Sequence, residues 1–576
     1  MMTRTKRMGA RGAMALLAVL FAACGSEPPS FSEPVQSVEA LRAHSAEFEK
    51  GVVQVTEGVH MAIGFGLANS IMVEGDDGVI IIDTMETMEE GRAVREAFRA
   101  VVDKPVRAII YTHNHTDHVF GAQAFVDEGV TPEVFAHADT MDYVYRIITE
   151  FRPVITRRSM RMFGNYLDDG VVVNNGIGPF LGIGPDSTLG ILPPTQTFED
   201  RMSAEVAGVR FELVHAPGET NDQLFVWFPD LGVLAPGDNL YKTFPNLYTI
   251  RGTPYRSLKG WAESIDTMRA LPIEHLVPSH TRPLSGKEKI HQTLTDYRDG
   301  IRFVYDQTVR LMNQGATPDE IAEQLTLPPH LAESPFLQEF YGTVEWSARS
   351  VFAGNLGWFD GNPSQLNPLA PADHAARMAD LAGGKAALRD HVLAAAEAGD
   401  DQWVLQLSDH ALRLFPDDSA ITEARIDALT RLGEQASNPN ARHYYLTSAL
   451  ELRGLEIPVL SNAGDEMLAR FPLSRFFAAI PVNLDAAAAL ELDQKVGFSF
   501  TDSDETFTIW VRRGVAEVRD TLMEDLDIHV AVDSLVFKQM LAQQRNAAVA
   551  IAKDFEYRDG GRVAFAQFMR LFMPPE

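Results

Sequence analysis

Cysteine is nearly absent: Cys24 is the one thiol in 576 residues. A disulfide framework and a cysteine-based zinc site are therefore both excluded. Positive charge is scarce as well. Lys and Arg number 50 against 79 Asp and Glu, a formal net charge of −29. A surface of that sign repels phosphates, which argues against nucleic acid or anionic lipid as a partner. It leaves room for a small anionic substrate, because a local site can be positive while the whole is negative. Low-complexity tracts are missing. Past the first segment, no stretch is long and apolar enough to cross a bilayer. What remains is an ordinary globular composition, 45% hydrophobic and 22% charged. The length is too great for one core and implies about two to four domains.

The chain begins with a secretory pattern. Arg4, Lys6, Arg7 and Arg11 form a basic start, "AMALLAVLFAA" is a short apolar core, and Ala22 and Ala23 precede Cys24. The apolar run is too short to span a membrane, so it reads as a signal segment. Its end resembles a bacterial lipobox. The expectation is a signal peptide over 1–24, a lipid anchor at Cys24 as the sole tie to a membrane, and export to the periplasm or outer membrane. A Pro/Ser-rich linker is expected over 25–50.

From about Val53 the pattern is α/β. Two apolar runs flank Gly75-Asp76-Asp77-Gly78, a hairpin signal. "VIIID" ends at Asp83 and "VRAIIYT" ends just before the next feature. Both are β-branched runs of the kind buried on two faces of a sheet. The stretch between them has helical spacing. Three more short strands follow in "VRFELVHAPG", "QLFVWFP" and "GVLAPGD", and another in "IEHLVPSH". The texture then turns helical. Thr317, Pro318 and Glu320 form an N-cap, first-turn proline and capping-box signature. After about residue 460, "VGFSFTDSDETFTIWVRRGVAEV" alternates around a turn at 502–505, which predicts a small α+β unit.

Chemistry concentrates at "YTHNHTDH", residues 111–118. His113, His115, Asp117 and His118 follow the end of a buried strand, where α/β folds place their ligands. His113 and His115 are two apart and face one side of an extended segment. The spacing suits two adjacent metals. Further ligands are available after other apolar runs: Glu219 in "HAPGETND", Asp238 in "LAPGDN" and His280 in "VPSHTRP". Imidazoles and carboxylates without thiolate suit zinc best, with manganese or iron as other fits.

The order H-x-H-x-D-H, then Pro-Gly plus a ligand, then Gly-Asp, then a late His resembles the metallo-β-lactamase superfamily. "PGET" replaces the superfamily's usual "PGHT", and that Glu resembles the alkylsulfatase branch. "NLYTIRG", "YDQTVRLMNQGATPDEIAEQLTLPP" and "GWFDGNP" resemble the same branch over most of residues 50–370. The resemblance implies an αββα catalytic sandwich over 51–290, an all-α dimerisation domain over 291–455 and a sterol-carrier-protein-like α+β domain over 456–576. By position, it implies one metal on His113, His115 and Glu219 and a second on Asp117, His118 and His280. The resemblance further implies that Asp238 bridges them and that Asp117 and Asp238 are catalytic. Asp238 departs from the Glu that alkylsulfatases usually have there.

The implied cofactor is two Zn²⁺ per subunit, and the implied assembly is a homodimer. The implied reaction is hydrolysis of linear alkyl sulfate esters to alcohol and inorganic sulfate. A hydroxide held between two close metals would be the nucleophile. Arg251 is the candidate sulfate holder, because its planar fork suits a tetrahedral anion. Asn246 is a neutral donor beside it. Arg256 stands where some alkylsulfatases have His; it adds positive charge and cannot donate a proton at neutral pH. Asp222 is either a ligand's hydrogen-bond partner or a turn cap. His215 is expected to be structural. The glycine-rich stretch 174–194 reads as a loop near the substrate. Competing readings are a two-metal hydrolase of a phosphodiester, aryl sulfate or lactam, and a non-catalytic lipid-binding lipoprotein.

Overall fold

The computed structural model describes residues 37–168, 170–458 and 464–573. The signal segment and Cys24 lie outside the described residues.

Two sheets stack face to face. The first has seven strands in sequence order: Gly51–Thr56, Val59–Ile63, Ser70–Glu74, Val79–Ile82, Val106–Ile110, Glu133–His137 and Gln196–Phe198. The early strands pair antiparallel. The hairpin at 75–78 closes with Glu74 opposite Val79. Pairing turns parallel from Val79–Ile82 onward. The second sheet has six strands, in the spatial order Leu284–Ser285, His275–Leu276, Val233–Ala235, Leu224–Phe228, Val209–His215 and Arg201–Val206. Val79–Ile82 and Leu224–Phe228 are buried at every position, as a strand covered on both faces must be.

Ile80, Ile82, Ala108 and Ile110 meet Leu213, Leu224, Val226 and Phe228 between the sheets. Helix Met88–Arg99 covers one outer face with Val94 and Phe98. Helices Leu258–Arg269 and Lys287–Asn313 cover the other with Trp261, Ile265, Leu294 and Ile301. The result is the expected αββα sandwich.

Two borders differ from the expected ones. Part of the predicted linker is ordered: Val38–His44 is helical, Leu41 is buried, and His44 Nε2 lies 2.7 Å from the Gly176 carbonyl. Helices Lys287–Asn313 and Val344–Leu356 share the core of the sandwich. The separate helical core begins near Ala379 and runs to Ala449. Amphipathic spacing identifies these helices without telling which neighbour takes their apolar face. The Thr317 capping box forms as read.

The C-terminal unit has a five-stranded sheet in the order Val515–Arg519, Thr506–Arg512, Asp493–Phe500, Ile528–Val532 and Glu556–Asp559. Its interior is filled by phenylalanines. Phe477 stacks on Phe507 with centroids 4.1 Å apart and packs against Phe498 and Phe537. Both appended units brace the catalytic one. Arg161 of helix Arg152–Phe163 is paired bidentately with Glu451 of helix Pro439–Leu452. Phe471 sits edge-on to Tyr145.

Candidate metal centre

Strand Val106–Ile110 delivers the histidine cluster to the carboxyl edge of the first sheet. His115 is the N-cap of a one-turn helix, Thr116–Val119, which turns Asp117 and His118 back toward His113. Glu219 and Asp238 arrive from loops at the ends of strands in the second sheet, and His280 from the loop after His275–Leu276. All seven residues are at most 9% exposed.

Their ligand-type atoms converge in two sets. His113, His115, Glu219 and Asp238 form one; Asp117, His118 and His280 form the other. Within each set the atoms lie within 4.8 Å of one another. His113 Nε2 and His115 Nδ1 are 2.8 Å apart. Asp238 Oδ2 stands between the sets, 3.7 Å from His113 Nε2, 3.5 Å from His118 Nε2 and 3.1 Å from His280 Nε2. Asp117 Oδ2 is 3.3 Å from His118 Nε2 and 3.5 Å from His280 Nε2.

The outward nitrogens of the histidines are held. His118 Nδ1 lies 2.8 Å from Asp83 Oδ2, His113 Nδ1 3.0 Å from Thr112 Oγ1, and His280 Nδ1 2.9 Å from the Leu67 carbonyl. Such contacts fix the ring orientations and aim the Nε2 atoms inward, as metal sites require. Asp83 also accepts from Thr112 N, Thr112 Oγ1 and Ser279 Oγ. It takes a φ of 61° at its strand end, a conformation that Asp adopts more readily than most residues.

The donor set fits metal ions on its own chemistry. Burial holds His113 and His115 well below their ordinary range, so both imidazoles are neutral, as metal binding requires. Burial alone would raise the Asp238 carboxyl, but the positive charge of His280 and His118 outweighs it and holds it well below its usual value. His118 Nε2, Glu219 Oε2 and Asp238 Oδ1 are buried and have no hydrogen-bond partner among the described residues. Such groups are costly unless something binds them.

The candidate substrate residues lie alongside. Arg251 Nη2 is 3.0 Å from His115 Nε2. Arg256 Nη1 donates to Glu219 Oε1 at 2.7 Å and to the Asn246 carbonyl. Arg256 Nε and Nη2 and the Asn246 side-chain amide are buried without hydrogen-bond partners among the described residues. Burial pushes the Glu219 carboxyl up to about 8, and the Arg256 guanidinium opposes it; a cation on Oε2 would act the same way.

Asp222 contacts no ligand. It accepts from Asn114, between the first two histidines, and from Thr140 Oγ1 at 2.9 Å. His215 stacks on His137 at 4.1 Å and lies outside both sets, a structural position.

Sequence reasoning missed Asp83, Thr112, Ser279 and Glu86. An Asp closing a wholly apolar strand was the available signal for the first. Glu86 Oε1 accepts from Leu67 N at 3.0 Å and Gly182 N at 2.8 Å. It thereby ties the loop under His280 to the glycine-rich stretch. Burial, with Glu90 nearby, pushes its pKa up to about 8 from an ordinary 4.5. The folded state therefore keeps a proton that the unfolded chain releases above about 4.5. The stabilisation is full below that pH and lost as pH rises toward 8. Glu86→Gln is expected to flatten the fall in melting temperature between pH 5 and 8, roughly the interval between those two pKa values. Parallel melting curves for parent and variant across that window would contradict it.

A cavity of about 140 Å³ opens from the centre, with His115, Asp117, Asp238 and Arg251 on its wall. Ile155, Met160, Phe163, Ile177 and Leu181 make the wall largely apolar. A cleft beside it carries Arg146, Arg158, Arg251 and Arg256.

Comparison with known proteins agrees with this geometry. Residues 63–280 match the metallo-beta-lactamase superfamily, 317–454 match alkyl sulfatase dimerisation, and 461–576 match alkyl sulfatase C-terminal. The chain is 37% identical over 484 residues to a linear primary-alkylsulfatase of a Pseudomonas species, spanning 80% of this chain and 90% of that one. It is 29% identical over 535 residues to an alkyl/aryl-sulfatase of Saccharomyces cerevisiae, spanning 91% and 82%. The solved structure of a stereoselective inverting sec-alkylsulfatase from Pseudomonas superposes with a TM-score of 0.84 at 26% identity, covering 95% of this chain and 92% of that one. Fold, paired ligand sets and domain order together place the chain in the alkylsulfatase family of the metallo-β-lactamase superfamily.

Proposed function

We propose that this alkyl sulfatase hydrolyses linear alkyl sulfate esters to alcohol and inorganic sulfate, using two zinc ions. The observation that carries the reading is an apolar cavity opening directly onto the two ligand sets, with arginines at its polar end. An alkyl chain gains about 0.8 kcal/mol for each methylene it buries. The sulfate meets a cleft lined by Arg146, Arg158, Arg251 and Arg256 in a chain of net negative charge, an arrangement that raises local anion concentration.

His113, His115 and Glu219 would hold one ion, Asp117, His118 and His280 the other, with Asp238 between them. When bound, such a pair supplies Lewis acidity and an activated water at neutral pH. The chain's own residues do the rest. Arg251 and the free donors of Arg256 and Asn246 orient the ester oxygens, and the planar Arg groups suit that tetrahedral anion. Asp83, Thr112 and the Leu67 carbonyl keep the imidazoles aimed. The packed wall of helix Arg152–Phe163 keeps bulk water from the chain-binding side.

Support for a primary linear substrate comes from the 37% identical Pseudomonas enzyme named for it. Sulfate release from hexyl, dodecyl and secondary alkyl sulfates, set against bis(nitrophenyl) phosphate and a cephalosporin, tests the reading. Turnover that rises with linear chain length is expected. Faster hydrolysis of the phosphodiester or lactam would overturn it.

A homodimer belongs to the same proposal. The dimerisation match covers the helical region, where Trp358 is 76% and Leu381 83% exposed. Light scattering giving the mass of a single chain would overturn that assembly. Export with a lipid anchor at Cys24 is proposed on the signal pattern. Palmitate label incorporated by the parent is expected to vanish in Cys24→Ser, and persistence would refute the anchor.

A further inference from the structure

The cavity wall carries one charge that the metal centre does not use. Asp117, Asp238 and Arg251 are its other charged lining residues, and all belong to the centre with the neutral His115. Arg152 does not. It opens helix Arg152–Phe163, directly after a π-turn at Ile147–Phe151. Such turns recur at functional sites. Residues 152, 155, 156, 159, 160 and 163 all line the cavity, which is one face of the helix at its natural spacing. Ile155, one turn from Arg152, lies against Gly252, next to Arg251. At 1.5 Å per residue, Arg152 is about 5 Å further along that wall.

Arg152 is partly buried, among Val144, Ile147, Ile148 and Met467. Among the described residues its side chain has no hydrogen-bond, ion-pair or ring partner. Burial lowers its pKa, with no carboxylate acting against that. A desolvated guanidinium without an anion is unusual, because charged groups in apolar surroundings are normally paired.

We propose that Arg152 is a second anion-recognition site on the cavity wall, taking a carboxylate carried by the alkyl chain several methylenes from its sulfate. The substrate class is then a sulfated, carboxylated amphiphile rather than a plain alkyl sulfate. This rests on the alkyl sulfatase reading and narrows it. Arg is suited to the role, since its fork binds carboxylate bidentately.

The test compares kcat/KM for dodecyl sulfate with kcat/KM for a chain of the same length ending in a carboxylate, in the parent, Arg152→Leu and Arg152→Lys. The readout is the ratio of the two substrates, so a general loss of activity in a variant cancels. The parent is expected to favour the carboxylated chain by about tenfold, the scale of one charge-assisted hydrogen bond. The preference should lie in KM, disappear in Arg152→Leu and partly survive in Arg152→Lys. A ratio unchanged by Arg152→Leu would overturn the proposal and leave Arg152 as a side chain reaching solvent along an apolar wall. No sulfate release from either substrate by the parent would overturn the alkyl sulfatase reading and this proposal with it.

Discussion

His115→Ala is expected to reduce sulfate release on the order of 10³-fold or more, the scale set by losing several kcal/mol of metal-supplied charge stabilisation. Two effects combine at this position. The ring contributes Nδ1 to the first ligand set, 2.8 Å from His113 Nε2. Its Nε2 stands 3.0 Å from Arg251 Nη2, so truncation also frees the candidate sulfate holder. The bound metal should fall by at least one ion per chain, read by elemental analysis of the purified variant. A variant with parental activity would show that the centre lies elsewhere.

Arg256→Met is the second large effect. The guanidinium is 2% exposed and so is the Glu219 carboxylate it holds. Removing the guanidinium leaves the buried Glu219 carboxyl, already pushed up to about 8, protonated and without its partner, at a cost of about 1 to 3 kcal/mol. The Asn246 carbonyl loses its donor at the same time. Glu219 Oε2 would no longer be aimed at the first ligand set, and losing such a supporting contact typically weakens metal affinity about 10- to 100-fold. Urea unfolding of the metal-free proteins isolates the first effect, and competition with a chelator isolates the second. A variant equal to the parent in both would mean that Arg256 supports nothing at Glu219.

The seven ligand candidates were legible because each stands just past an apolar run, and strand ends on one edge of a sheet must be neighbours. His113 to His118 needed only local spacing. Glu219, Asp238 and His280 needed the sheet as well, and the apolar runs supplied it. Asp83 could not be assigned from its own neighbourhood, because its partners come from residues 112, 118 and 279. Glu86 was invisible for the same reason: its meaning lies in two backbone amides, 19 and 96 positions away. Arg256 was placed in the site, but its hold on Glu219 depends on a loop-to-loop contact that no periodicity reports. The cavity was the least legible feature. Its wall is one helix propped from behind by Glu451 and capped by Met467, residues from two other units of the chain.

Helix Lys287–Asn313 teaches a related lesson. Its apolar stripe reads equally well as the start of a helical domain or as cover for a sheet. Tyr297 and Ile301 pack into the sandwich, so burial against Trp261 and its neighbours decided the matter, and the local pattern did not.

On the proposed function, the two buried ligand sets form one two-metal centre that cleaves alkyl sulfates. Stripping the purified protein with a chelator, then restoring zinc while metal content and sulfate release from dodecyl sulfate are followed together, tests it most directly. The expected result is loss of about two metal ions per chain with loss of activity, and recovery of both on adding zinc back. Undiminished sulfate release from a chain that holds no metal would contradict it.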